Sequence, residues 1–269
     1  MNEPMNAAGN FAGRAMRIVA ATMAALVGVQ WSVASDAAAT LSEEEAREGF
    51  VLLFNGRDLD GWLAEGSGYE VRDGLLICPK GRGKNLFHTR EFSDFELRFE
   101  FRLDRGANNG LAIRAPETGH PSFDGMEIQI IDDDNYLEVH NYGLQPWQRH
   151  GSVYGVVAAQ PGALRPAGQW NEQIVRAVGS RITVMLNGRT ILDTDLSTLT
   201  ETADGKGLEK HPGVRRRSGR IGFLGHGDEV AVGLLLSDAS QLVFRCGLSH
   251  EVIHAGFGGD GRGRQRVVA

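Results

Sequence analysis

The amino-acid sequence predicts an all-β domain built from two packed antiparallel sheets. About a dozen short segments alternate between polar and apolar residues, which is the pattern of half-buried strands. The chain also holds 36 glycines and 8 prolines, which favour many turns. It shows no internal repeat and no second core, so one sandwich over residues 41–236 accounts for it.

The first 40 residues have the pattern of a secretory signal. Arg17 precedes an apolar run over residues 18–29, and small residues follow up to Ala39. A run of about a dozen apolar residues is too short to cross a bilayer as a helix. We therefore expect residues 1–35 to be removed on export to the periplasm or the cell surface, with Met16 as an alternative start.

Local signals place the first elements of the domain. Ser42 and Glu45 form a capping-box pattern, which predicts the start of a short helix. Residues 50–54 are apolar and predict a strand. Further along, Asn187-Gly188 stands between two alternating segments, and this dipeptide predicts a hairpin with a type I′ turn.

Alternation is clearest over residues 95–103. Phenylalanine and leucine take every second position, and Glu96, Arg98, Glu100 and Arg102 take the positions between them. We expect the four charged side chains to lie on a solvated sheet surface and to pair with one another.

The segment Gly125–Asp132 predicts a strand with unusual polar content. Its apolar residues alternate with Glu127 and Gln129, so these two side chains share the face away from the core. A β-bulge at Ile130-Ile131 would bring Asp132 to the same face. Such a row of polar groups is either a solvated surface or the floor of a site.

Charge, cysteines and the C-terminal region set further limits. The net charge is -6 and no basic cluster stands in the body of the domain, which argues against nucleic acid as a partner. Cys78 and Cys246 could form a disulfide after export, although their spacing does not establish one. Residues 237–269 include a Gly/Arg-rich stretch without periodicity and are expected to form a disordered tail.

Short motifs spread over residues 48–231 resemble the 3-keto-disaccharide hydrolase domain family, and they occur in the family's order. They are Leu53–Gly56, Leu59–Trp62, Asp94–Leu97, Asn108–Gly110 with Arg114, Gly125–Asp132, His150–Tyr154, Trp170-Asn171, Leu186–Gly188 and Gly222–Asp228. The resemblance implies a concanavalin-like jelly roll, bacterial export and action on sugars oxidised at C3. The family's closing strand, Phe-Arg-Asn-Ile-x-Ile, does not follow Ala231 here.

The central strand also has the spacing found in laminarinase-type glucanases, which share the jelly roll and carry Glu-x-Asp-x-x-Glu. Here Gln129 replaces the middle carboxylate and the shorter Asp132 stands last. Retaining hydrolysis needs two carboxyl groups about 5–5.5 Å apart. This arrangement fits that requirement poorly, so direct displacement at the glycosidic carbon is disfavoured.

A 3-keto sugar permits elimination instead, because the ketone acidifies the hydrogen on C2. The reaction needs a base, a donor for the enolate oxygen and an acid for the departing oxygen. Glu127 or His226 could be the base, and Tyr154 or His150 could be the acid. The enolate could be stabilised by any of three polar residues near the predicted strands: Asn109, Arg114 and Gln129.

Two alternatives remain open. Glu127, Asp132, His226 and Asp228 could gather a divalent metal ion, although we expect no resident cofactor, and Asp132 is otherwise expected to bind substrate. The domain could also be a carbohydrate-binding module without turnover, with Trp147, Trp170 and Tyr154 as stacking platforms. In either case the expected partner is a carbohydrate, and no membrane association is expected after signal removal.

Overall fold

The computed structural model describes residues 40–233 and 243–246. In this part of the chain it confirms the all-β jelly-roll sandwich of two antiparallel sheets. The predicted signal, residues 1–35, lies outside the described residues, and so does most of the predicted tail, residues 237–269. Residues 243–246 nevertheless form a sheet strand, so the sandwich extends beyond the predicted boundary at residue 236.

The described strands are short and follow one another closely. In chain order they are β1 (Val51–Leu52), β2 (Glu70–Arg72), β3 (Leu75–Cys78), β4 (Asn85–Phe92), β5 (Phe95–Leu103), β6 (Asn108–Ala115), β7 (Met126–Ile131), β8 (Trp170–Val178), β9 (Arg181–Leu186), β10 (Arg189–Asp195), β11 (Gly219–Gly225), β12 (Val230–Gly233) and β13 (Val243–Cys246).

The α-helices of the described residues are short. They are α1 (Glu43–Arg47), α2 (Pro121–Asp124) and α3 (Tyr136–His140). The capping box predicted at the start of α1 is present, because Ser42 and Glu45 each accept a backbone hydrogen bond from the other. Within the described residues, no helix has both the length and the apolar character needed to span a membrane.

The two sheets differ in size. The larger has the strand order β10-β9-β8-β5-β12-β3-β2, with β13 paired to both β5 and β1. The smaller has the order β4-β11-β6-β7. The β9–β10 hairpin turns at Asn187-Gly188, where both residues have positive φ, 50° and 79°. This confirms the predicted type I′ turn.

The hydrophobic core lies between the sheets. Every second residue of β5 points into it, from Phe95 to Leu103, and Leu111 and Ile113 of β6 meet them from the smaller sheet. The parity of apolar residues in the sequence therefore predicted the inner faces of these strands correctly.

The outer face of β5 is only in part the solvated surface predicted for it. Arg98, Glu100 and Arg102 are half-buried, and the predicted charge pairing is present between Arg98 and Glu96. Glu96 is fully buried, and its carboxylate accepts hydrogen bonds from Arg98 and Arg176. Arg245 of β13 lies 3.4 Å from the same carboxylate. Because β13 comes from far along the chain, its contribution to covering Glu96 cannot be predicted from local alternation.

The predicted β-bulge in the central strand is absent. Paired residues run in regular register along β6 and β7, from Ile113↔Met126 to Asn108↔Ile131. Ile131 therefore keeps the face of Glu127 and Gln129, and Asp132 does not join them. Elsewhere in the fold, Cys78 is a buried free thiol, and the side chain of Cys246 lies outside the described part.

Candidate active site

The candidate site lies on the face of the smaller sheet that points away from the core. On β7, Ile128 packs in the core, whereas Glu127 and Gln129 alternate with it and point to the opposite face. Both polar side chains belong to residues that are only 3% exposed. Burial of a carboxylate and an amide on an outer sheet face shows that this is not a simple solvated surface.

An extended segment adds a further strand-like edge beside β7. Gly151 and Tyr154 donate backbone hydrogen bonds to the carbonyls of Gln129 and Glu127, and Val153 forms a β-bridge with Ile128. Val153 is a core residue. Because side chains alternate along the segment, Tyr154 points to the outer face directly beside Glu127.

The floor next to Glu127 is made of very small residues. Gly110 and Ala112 of β6 face outward, and Gly222 of β11 pairs with Ala112. A Cβ added at Gly110 would lie 2.7 Å from Cδ of Glu127, so the glutamate side chain lies directly over this glycine. At the far side, Phe87 packs against Ala112 and Leu224.

Three side-chain oxygens on this face are buried without a hydrogen-bond partner among the described residues. They are Oε1 of Glu127, Oε1 of Gln129 and Oδ1 of Asn108. Buried polar atoms are normally paired, because desolvation without a partner costs about 1–3 kcal/mol per group. These three neighbouring acceptors are therefore able to accept hydrogen bonds from a ligand or from solvent.

His226 stands at the mouth of the same site. Its Nε2 is 3.7 Å from Oε1 of Glu127, and its side chain is 47% exposed. The following turn is fixed to the sheet, since Oδ2 of Asp228 accepts a hydrogen bond from the backbone N–H of Asn108. A fixed buried carboxylate and a solvent-accessible imidazole thus face each other, as the sequence predicted for Glu127 and His226.

Trp147 packs against Tyr154, and two further tyrosines, Tyr136 and Tyr142, pair with each other. Trp147 contacts Tyr154 edge-on, with ring centroids 5.2 Å apart. Tyr136 and Tyr142 share a hydrogen bond of 2.8 Å between their hydroxyl groups. Burial raises the pKa of Tyr136 above the usual range, and the hydrogen bond to Tyr142 adds to this. By contrast, Trp170 belongs to β8 of the larger sheet and is covered by Arg102, so it does not line this site.

Arg114 lies on the strand next to β7, as predicted, but not beside Glu127. The pairing of β6 with β11 is irregular here and Arg114 has a positive φ of 48°. This irregularity directs the fully buried guanidinium to backbone carbonyls of Ser93 and Gly179. Burial lowers the pKa of Arg114 to about 10. Its role is to join the two sheets, which corrects the prediction that it binds substrate.

Asn109 faces the opposite side of its strand from the site. It shares the parity of the core residue Leu111, and its Nδ2 donates to the hydroxyl of Tyr69 at 3.1 Å. The residue that faces the site is Asn108. The prediction of Asn109 as a substrate-binding residue is therefore wrong, and the parity with Leu111 identifies Asn108 instead.

His150 is also a structural residue. It is 3% exposed, stacks on Phe101 with a centroid distance of 5.1 Å, and lies 2.8 Å from Oε1 of Gln173. Its Nδ1 accepts the backbone N–H of Ile131. Burial lowers the pKa of His150 to about 4. It lies between the sheets and cannot be the acid that was predicted for the outer face.

The side chain of Asp132 stabilises a loop by hydrogen bonds, which corrects the prediction that it binds substrate. Its Oδ2 accepts hydrogen bonds from the backbone N–H of Gly106 and from Nδ2 of Asn135, at 2.7 and 2.8 Å. The four donors considered for a metal ion therefore do not come together. Across residues 40–233 and 243–246, no three His, Cys, Asp or Glu side chains form a group suited to a metal ion.

The chain matches the model of a known family over residues 49–232, described as the 3-keto-alpha-glucoside-1,2-lyase-like domain. This match covers most of the domain described above. The chain belongs to this family.

A curated relative and two solved structures extend this comparison. The 3-keto-disaccharide hydrolase of Bacteroides thetaiotaomicron is 24% identical over 220 residues, which are 68% of this chain and 76% of the relative. A putative glycosyl hydrolase from Parabacteroides distasonis has a TM-score of 0.63 at 24% identity, covering 78% of this chain and 99% of that one. A second from the same organism has a TM-score of 0.61 at 25% identity, covering 73% and 98%.

Proposed function

We propose that this protein cleaves 3-keto-glycosides, such as 3-keto-disaccharides, by eliminating the leaving group across C1 and C2 and then adding water. The observation that carries the proposal is the buried Oε1 of Glu127, which has no hydrogen-bond partner and faces His226. The sheet surface beneath this pair is made of small residues such as Gly110. Membership of a family described by a 1,2-lyase activity supports the same bond change.

Glu127 is the base in this proposal. It is held on a sheet strand and is almost fully buried, so its position is fixed. It removes the proton from C2, whose acidity comes from the adjacent ketone, and the electron pair moves into the enolate. His226 is exposed at the mouth and donates a hydrogen bond to the enolate oxygen at C3.

Tyr154 is the acid for the departing oxygen. Its backbone pairs with Glu127, so the two side chains are neighbours on one face. When the enolate collapses, the C1–O bond breaks and the leaving oxygen takes the phenolic proton. Water then adds at C1 of the enone, C2 regains a proton from Glu127, and Tyr154 recovers its proton. The net result is hydrolysis.

The position of Asp132 supports elimination over direct displacement. A retaining glycosidase needs a second carboxylate about 5–5.5 Å from the first. Asp132, the candidate from the glucanase-like pattern, alternates to the other face of the strand and is engaged by Gly106 and Asn135. Gln129 and Asn108 are neutral, and their amide oxygens are suited to accept hydrogen bonds from hydroxyl groups of the sugar.

Reaction in D₂O tests the function and the route together. The protein is incubated with a 3-keto-disaccharide and, in parallel, with the unoxidised disaccharide, and the products are examined by NMR. We expect release of a 3-keto-hexose from the oxidised substrate only, with deuterium at C2. Enzyme-free and Glu127→Gln samples measure spontaneous exchange at C2. Equal cleavage of the unoxidised disaccharide would rule out elimination, because that sugar has no ketone to acidify the hydrogen on C2. Inertness towards both sugars would rule out the function.

We also propose that the protein acts outside the cytoplasm. The support is the N-terminal pattern that ends near Ala39, with a basic start, a short apolar run and small residues. Expression of the full chain in a bacterial host, followed by fractionation and N-terminal sequencing, tests this. A mature N-terminus near residue 36 in the exported fraction is expected. An intact N-terminus on cytoplasmic protein would contradict it.

A further inference from the structure

A buried histidine–aspartate pair lies directly behind the segment that carries Tyr154. His211 is 1% exposed, and its Nε2 is 2.9 Å from Oδ2 of Asp204. The ring of Phe123 in α2 covers it from another side, with a centroid distance of 5.3 Å. Neither member of the pair belongs to the residues assigned to substrate above.

Asp204 is a firmly held acceptor. Its Oδ1 accepts hydrogen bonds from Oγ1 of Thr202 and the backbone N–H of Lys206, at 2.8 and 3.0 Å. Burial acts to raise the pKa of Asp204, but hydrogen bonds from Lys206, His211 and Thr202 outweigh it and lower the pKa to about 2. The ionised carboxylate therefore accepts Nε2–H of His211 and fixes the orientation of the ring.

The pair is packed against Gly155, the residue after Tyr154. Gly155 has φ of 75°, and a Cβ there would lie 2.6 Å from Cε1 of His211 and 3.2 Å from Oδ2 of Asp204. The backbone is tied at the same place, because the carbonyl of Gly155 accepts the N–H of Asp204 at 2.9 Å. The next carbonyl, that of Val156, accepts the N–H of Ala203 at 3.0 Å.

Tyr154 is therefore held from two directions. Upstream, its N–H donates to the carbonyl of Glu127 at 2.9 Å. Downstream, the adjoining Gly155 rests on the ring of His211. We propose that His211 and Asp204 are positioning residues that set the location of the Tyr154 hydroxyl relative to Glu127. This inference rests on the proposed function for the role of Tyr154, but the packing that carries it is independent of the substrate.

Position matters because a misplacement of about 1 Å at a reacting group can cost about 100-fold in rate. His211→Ala removes the contact with Gly155 and leaves Asp204 without one donor. His211→Gln keeps an N–H that can reach Asp204, so it serves as the conservative variant. Lys210→Ala is the matched control, because Lys210 is the exposed neighbour of His211 and has no part in the site.

Steady-state kinetics on the 3-keto-disaccharide give the first readout. We expect His211→Ala to lower kcat about 10-fold or more while KM changes by less than about threefold. His211→Gln should recover most of kcat, and Lys210→Ala should match the wild type. In the Tyr154→Phe background, His211→Ala should have no further effect on kcat, because both changes disable the same group. Multiplicative effects of the two changes, or unchanged kcat in His211→Ala, would overturn the proposal.

Hydrogen exchange at the amide of Tyr154 provides a readout that needs no substrate. His211→Ala should accelerate exchange of this amide relative to the wild type, His211→Gln less so, and Lys210→Ala not at all. If exchange in folded His211→Ala equals that of the wild type, the positioning role is wrong. If the wild type leaves the 3-keto-disaccharide intact, the proposed function fails, and this measurement still decides whether the pair holds Tyr154.

Discussion

The carboxylate of Glu127 lies directly over the Cα of Gly110 on the neighbouring strand. A methyl group at that glycine would come within 2.7 Å of Cδ of Glu127, whereas the backbone of Gly110 has no positive φ that would strain an alanine. The glycine is therefore required by the glutamate side chain and not by the fold of the strand.

Gly110→Ala should consequently damage activity more than stability. The new methyl group must displace the side chain of Glu127. The backbone of the strand itself accepts an alanine, so the protein should fold, but the carboxylate leaves the position from which it reaches C2. We expect a loss in kcat of about 100-fold, measured on the 3-keto-disaccharide, with a thermal midpoint near that of the wild type. Gly143→Ala is the control, since a Cβ there meets no atom within 4 Å. Full activity in Gly110→Ala would show that the position of Glu127 is not critical.

Glu127→Gln should lower the activity and raise the stability of the fold. Replacing the base with a neutral amide should lower kcat about 1000-fold or more. The substitution also removes the charge of a buried carboxylate whose Oε1 has no hydrogen-bond partner. This should stabilise the fold by on the order of 1 kcal/mol. Differential scanning calorimetry should show a rise in midpoint of about 2–4 °C per kcal/mol. A variant that is both less stable and fully active would contradict the placement of the base.

The neighbouring asparagines should respond differently to substitution. Asn108→Ala removes an unpaired oxygen that faces the site, so we expect KM for the 3-keto-disaccharide to rise about 5-fold or more, with little change in unfolding free energy. Asn109→Ala removes the donor to Tyr69 in the core, so we expect destabilisation of about 1–3 kcal/mol with KM unchanged. Urea unfolding and steady-state kinetics on both variants check the register of this strand. The reverse pattern would place Asn109 at the substrate.

Buried histidines should make the fold sensitive to mild acid. Burial lowers the pKa values of His88 and His150 to about 4, from an ordinary value of 6.5. The unfolded chain therefore binds more protons between pH 6.5 and 4, and stability falls as the pH is lowered through this window. The loss should be on the order of 2–3 kcal/mol for each histidine, measured by urea unfolding at several pH values.

Substitutions identify the source of that pH dependence. His88→Gln and His150→Gln should each be less stable than the wild type at pH 7.5, because they disturb core packing. Each should also show a shallower loss of stability between pH 6.5 and 5. Burial raises the pKa of Asp133 to about 6, which favours the fold as the pH drops towards 4 and opposes part of the effect. A pH profile that neither histidine variant flattens would exclude the two histidines as its cause.

The local period of the sequence determined which faces of the strands are buried. Alternation placed the apolar residues of Phe95–Leu103 in the core, and it placed Glu127 and Gln129 on the face of β7 that points away from the core. The two-residue turn at Asn187-Gly188 and the capping box at Ser42 were equally local, since each depends on a few adjacent residues. Glu127 and His226, the pair at the centre of the candidate site, were both named from the sequence.

Only the tertiary structure decided what those side chains meet. Arg114 departs from the expected face because an irregularity between β6 and β11 turns it towards the other sheet. Gly110 acquires its importance from Glu127 across a strand pair, and His211 from Gly155 across a loop. A strand's own alternation fixes the side to which a residue points. The register of its neighbours fixes the contact it makes there, because those neighbours come from distant parts of the chain.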